Sequence, residues 1–97
     1  MEKITRTEFY KKYTGTKLKY NLQFNTSICH TGETPDGNTI GIVLRQTDEE
    51  SFEYGDVYDK DGNKIEYFAE FVKGEDGKGN KDYRFSYEEW TIEWKSM

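Results

Sequence analysis

The chain has 97 residues, a formal net charge of −5 and sixteen aromatic side chains (six Phe, eight Tyr, two Trp). A chain of this length makes one domain, residues 1–97, with room for one core and a surface site but not for an enclosed active site under a lid. No apolar run is long enough to span a membrane, the opening MEKITRTEF lacks the apolar stretch of a secretory signal, and the single cysteine, Cys29, cannot form an internal disulfide; together these predict a soluble, cytoplasmic protein with no membrane partner.

Thr5-Arg6-Thr7-Glu8 has the form of a capping box, in which the Thr5 hydroxyl accepts from the Glu8 amide and Glu8 reaches back to the Thr5 amide. Ile4 and Phe9 occupy the two positions of a hydrophobic staple, Phe9 and Tyr13 follow at i and i+4, and Gly15 suits a left-handed stop. The spacing predicts a helix over 6–13, about two turns long and too short to stand alone. Leu18, Tyr20, Leu22 and Phe24 then alternate with polar residues, as a strand with one buried and one wet face would. Residues 31–38 (TGETPDGN) read as a loop around the only proline, Pro35. Ile40, Ile42 and Leu44 make a second strand, with Val43 on its other face.

Phe52, Tyr54 and Tyr58 mark a third strand, bent at Gly55 because Val57 falls out of phase. Asp59 to Asn63 read as a tight hairpin loop. The fourth strand carries Ile65, Tyr67, Ala69 and Phe71 on one face and Phe68 and Val72 on the other. After a Gly-rich turn over 73–82, Tyr83, Phe85 and Tyr87 form a fifth strand. Trp90, Ile92 and Trp94 form a sixth, or a continuation of the fifth. The fold class is α+β, mostly β: a short N-terminal helix followed by a five- or six-stranded antiparallel meander, curved or partly rolled into a small barrel.

Aliphatic residues are scarce: six Ile, three Leu and three Val. The core must therefore be built largely of rings, with Phe9, Tyr20, Phe24 and Phe71 the expected members. The low net charge and the patterning of the aromatics argue against disorder. Charge is uneven along the chain. Residues 1–20 carry a net of +4, whereas 48–61 carry a net of −6. The excess of Lys over Arg fits an AT-rich genome or its mobile elements, so a viral or mobile-element origin is one expectation.

Motifs that would carry chemistry are weak. Cys29-His30 holds the residue types of a nucleophilic dyad, but strand neighbours point to opposite faces. Asp59, Asp61 and Asn63 have the spacing of the first ligands of a calcium loop, yet Gly62 comes before the third ligand rather than after it, which favours a turn. Carboxylate pairs such as Glu49/Glu50, Glu88/Glu89 and Glu66/Glu70 leave a carboxylate-based hydrolase as a minor alternative. No catalytic residue, metal ligand or cofactor site is predicted.

The functional expectation is a small acidic non-enzymatic protein-binding module: an inhibitor, an immunity protein or a phage anti-defence protein. Its contact set is Asp48, Glu49, Glu50 and Glu53, which would steer toward a partner with a basic surface, together with the rings Phe68, Tyr83, Phe85, Tyr87, Trp90 and Trp94. One alternative is a nucleotide or sugar held by an aromatic-lined rolled sheet; another is a homo-oligomer built by edge-strand pairing. Base stacking on nucleic acid is secondary, because the sequence pI is about 4.9.

Overall fold

The structure is a computed structural model, and it describes residues 2–24, 27–46, 51–72 and 87–93. The elements are β1 (Glu2–Lys3), α1 (Arg6–Lys12), β2 (Lys17–Phe24), β3 (Ser27–Glu33), β4 (Thr39–Gln46), β5 (Ser51–Tyr58), β6 (Lys64–Val72) and β7 (Glu89–Thr91). The described strands form one seven-stranded sheet in the order β1-β6-β5-β4-β3-β2-β7. Strands β2 to β6 form an antiparallel meander, as expected, but it contains a strand that was not predicted: β3 lies between the first two predicted strands and takes in Thr31, Gly32 and Glu33 of the predicted 31–38 loop, held by ladders to β2 and β4. Three further features correct the prediction. The two-residue β1 adds a parallel pair on β6, β7 pairs with β2 at the far edge, and the sheet is mixed and open rather than a barrel.

Helix α1 forms for the reasons its sequence supplies. The Thr5 hydroxyl accepts from the Glu8 amide at 3.1 Å. The return contact runs between side chains, with Thr5 Oγ1 donating to Glu8 Oε1 at 3.0 Å. Tyr13 is the C-cap, Gly15 turns the chain with φ of +93°, and its amide donates to the Ile92 carbonyl at 2.8 Å. Ile4 packs against the core cluster to which Phe9 belongs.

The helix covers one face of the sheet. Phe9, Tyr10 and Tyr13 pack on Leu18, Ile40, Ile42, Val57, Phe68, Trp90 and Ile92. Phe9 reaches the sheet because position 55 is glycine: a Cβ there would lie 2.6 Å from the Phe68 ring and 2.8 Å from the Phe9 ring. Strand β5 runs through Gly55 over its full length and alternates regularly, with Glu53, Gly55 and Val57 on the helix side. The bend predicted at Gly55 is replaced by this close approach.

Strand β2 departs most from its sequence pattern. A bulge between Tyr20 and Leu22 shifts the register, so Tyr20 pairs with His30 on the helix side while Leu22 and Phe24 pair with Cys29 and Ser27 on the other. Leu18 alone of the four alternating residues is buried. Of the four rings expected in the core, only Phe9 is there; Tyr20, Phe24 and Phe71 are exposed.

Candidate functional site

The two faces of the sheet differ in chemistry. On the helix side, Glu53 and Glu70 are directly opposed on β5 and β6, an arrangement that repels. Arg6 resolves it. Its Nε donates to Glu53 Oε1 at 3.0 Å, and its backbone amide, an orphan donor of the helix start, donates to Glu70 Oε2 at 2.5 Å. The Tyr10 hydroxyl donates to the other oxygen of Glu53. One turn on, Glu66 accepts from the Tyr13 hydroxyl and pairs with Lys12 at 2.7 Å. Buried Glu53 and Glu66, with half-buried Glu70, clamp the helix to the sheet.

The opposite face carries no covering element among the described residues. Side chains that pair across the ladder share a face, so the register sorts them into rows. The first row is Phe24, Ser27, Arg45, Phe52 and Phe71; the second is Leu22, Cys29, Val43, Tyr54 and Ala69. Phe24 is 72% exposed, Phe71 63% and Leu22 52%, values far above those of interior rings. Phe52 stands edge-on to Phe71, with centroids 5.0 Å apart and planes at 66°, and sits 6.1 Å from Tyr54. The third row turns polar: Glu89, Lys19, Thr31, Gly41, Asp56, Tyr67 and Lys3. Beyond it, Lys64 pairs with Asp56 at 3.2 Å and lies near the Tyr58 and Tyr67 rings; its hydrogen bond to Asp56 holds the ammonium above its ordinary range.

Cys29 and His30 point to opposite faces. Burial pushes the Cys29 thiol up, and nearby Asp56 adds to this, so the thiol stays protonated and is a poor nucleophile. The Tyr54 hydroxyl is raised by the same two causes in the same order. His30 is buried on the helix side, where Nε2 donates to the Tyr87 carbonyl at 2.7 Å and the ring meets Tyr20 and Trp90 edge-on. Asp59 closes a hairpin: its Oδ1 accepts the amides of Asp61 and Asn63, both at 2.9 Å. These backbone donors, Asn63 first, hold its carboxyl below the usual range. A group of three or more metal-ligating side chains is absent among the described residues.

Four residues of the predicted contact set, Glu53, Phe68, Tyr87 and Trp90, fall within the described residues. Glu53 is 1% exposed and neutralised by Arg6, so it cannot steer a partner. Phe68, fully buried, and Trp90, at 8% exposure, belong to the core because both face α1. Tyr87 is exposed. Asp48, Glu49, Glu50, Tyr83, Phe85 and Trp94 lie outside the described residues. The sequence reading missed Leu22, Phe24, Arg45, Phe52 and Phe71 as one surface. The signal available was the alternation of Val43 and Arg45 against Ile42 and Leu44, which marks a second face on β4.

The sheet does not close around a ligand. A surface cavity of about 500 Å³ opens where β7 meets β2; among the described residues it is lined by Lys19, Tyr20, Glu88 and Glu89, one ring and three charged side chains. Among the described residues no helix is long and apolar enough to cross a membrane. Comparison with family models, curated proteins and solved structures finds no match.

Proposed function

We propose that this chain is a small non-enzymatic protein-binding module whose contact surface is the open face of the sheet, centred on Phe24, Phe52 and Phe71. The supporting observation is the pair of rings at 72% and 63% exposure at the two ends of one row, with Leu22 and Tyr54 beside them. Four strand spacings separate β2 from β6, so the row is about 19 Å wide. An exposed apolar stretch of this kind is what a partner buries at the centre of an interface. The chemistry beside it also favours binding over catalysis, since Cys29 is held protonated and His30 faces the other way. Inhibitors, immunity proteins and phage anti-defence proteins form the functional class to which such a module belongs. Glu53 is internal and takes no part in this surface.

The test compares capture by the wild type with capture by the double variant Phe24→Ser/Phe71→Ser. A partner held by the wild type and lost by the double variant, with the far-ultraviolet spectrum unchanged, supports the reading. Equal capture by both removes the open face from the interface.

A further inference from the structure

The charge on the open face runs against the charge of the whole protein. The net charge is −5, yet the strand residues on this face comprise five cations (Lys3, Lys17, Lys19, Arg45, Lys64) and three acids (Glu33, Asp56, Glu89). Two of the cations are already neutralised, Lys17 by Glu89 at 3.1 Å and Lys64 by Asp56. Arg45, Lys19 and Lys3 are exposed and form no ion pair among the described residues. Arg45 is the one charged side chain in the two apolar rows, between Ser27 and Phe52. Lys19 and Lys3 stand in the third row, at either side of the sheet. The helix side shows the opposite pattern, with Glu53, Glu66 and Glu70 each met by a donor from α1: Arg6 Nε, Lys12 Nζ and the Arg6 amide.

We propose that the occupant of this face is an acidic segment of another protein. Its apolar side chains cover Phe24, Phe52 and Phe71, and its carboxylates meet Arg45 and, across the second row, Lys19 and Lys3. The inference rests on the protein-binding reading and adds the sign of the partner's charge. Complementarity of this kind selects the partner and its orientation. A second copy of the chain is a poorer fit, since it would bring the same three cations, Arg45, Lys19 and Lys3, against this face. A nucleic acid is also a poorer fit. A polyanion is opposed by the overall charge, and Leu22, Val43 and Ala69 break up the stacking surface. The row width matches a helical segment of about 13 residues. Asp48, Glu49 and Glu50 enter only through the test.

The probes are two synthetic amphipathic peptides of about 14 residues with the same Leu/Phe stripe at i, i+3, i+4 and i+7. One carries Glu along the flanks of the stripe and its twin carries Lys. Binding to the full chain is read by fluorescence anisotropy at about 50 mM salt, where exposed charges are weakly screened. The Glu peptide is expected to bind about tenfold tighter than its twin. Arg45→Glu/Lys19→Glu/Lys3→Glu reverses the preference, while Asp48→Asn/Glu49→Gln/Glu50→Gln leaves it in place or enlarges it. Tighter binding of the Lys peptide overturns the inference, as does binding of neither peptide. Binding of an oligothymidylate in place of the Glu peptide, or a concentration-dependent dimer that excludes the peptide, also overturns it. Phe24→Ser/Phe71→Ser weakens both peptides; if it changes neither, the open-face reading beneath the inference fails instead. Lys3, Lys19, Phe24, Arg45 and Phe71 are exposed, and the far-ultraviolet spectrum verifies the fold of every variant.

Discussion

The two faces of the sheet use the same residue types for opposite ends. On the helix side, rings are buried and carboxylates are paired: Phe9 and Phe68 interlock over Gly55, and Glu53 and Glu66 accept from Tyr10 and Tyr13. On the open side, Phe24 and Phe71 stand in solvent, and Arg45, Lys19 and Lys3 form no ion pair among the described residues. Phe71 and Phe68 lie three residues apart on one strand, yet one is 63% exposed and the other fully buried. Strand parity decides which ring holds the fold and which is available to a partner. Composition alone cannot separate the two.

The strongest way to break the comparison is to damage the helix side. Phe9→Ala empties the centre of the core and is expected to cost about 3–5 kcal/mol, a large share of the stability of a domain this size, read by denaturant unfolding. Gly55→Val forces a side chain into the Phe9–Phe68 contact and should cost about 1–3 kcal/mol or more. Glu53→Ala removes the buried carboxylate that accepts from Arg6 and Tyr10 and should cost about 2–4 kcal/mol. Glu53→Gln, which keeps an acceptor oxygen, should cost less. An equal loss for the two variants would show that space filling, not the carboxylate, matters at position 53.

Smaller effects sharpen the other half. Alkylation of Cys29 at about pH 8 should be slower than that of a free thiol, because a raised thiol pKa leaves less thiolate. Asp56→Asn removes the charge that adds to the shift and should speed the reaction; no change on that substitution would place burial as the sole cause. The smallest effect concerns the β5–β6 hairpin. The Asp59 carboxyl lies below its ordinary range, so its stabilising contribution is complete above the unfolded value near 3.9 and fades as pH falls through the lower folded value. Amide exchange at Asp61 and Asn63 should therefore rise in acid before global unfolding and should rise at neutral pH in Asp59→Ala.

Much of the fold is legible in the chain. Thr5, Glu8, Ile4 and Phe9 specify the helix start locally, and the alternation through β4 and β6 gives their two faces correctly. The rest depends on distant partners. The bulge after Tyr20 leaves no mark in an alternating run, so Leu22 and Phe24 read as core although they face outward. Strand β3 has one aliphatic residue, Ile28, and is held by its neighbours on both sides. Glu53 reads as a solvated acid in an acidic run, because the arginine that neutralises it lies 47 residues earlier in the chain. Within the contact surface, Tyr54 and Phe71 were visible as strand rings, but their meeting with Phe24 and Arg45 follows from the order of the strands, which periodicity does not encode.

Thermal unfolding of Phe24→Ser/Phe71→Ser beside the wild type and Phe9→Ala tests the division between the faces most directly. Phe24→Ser is an exposed substitution worth about 0.5 kcal/mol, and Phe71→Ser gives up the edge contact with Phe52, worth about 0.5–1.5 kcal/mol, so the double variant is expected to melt modestly below wild type and well above Phe9→Ala. A double variant that melts as early as Phe9→Ala would show that the open face belongs to the core and is not available to a partner.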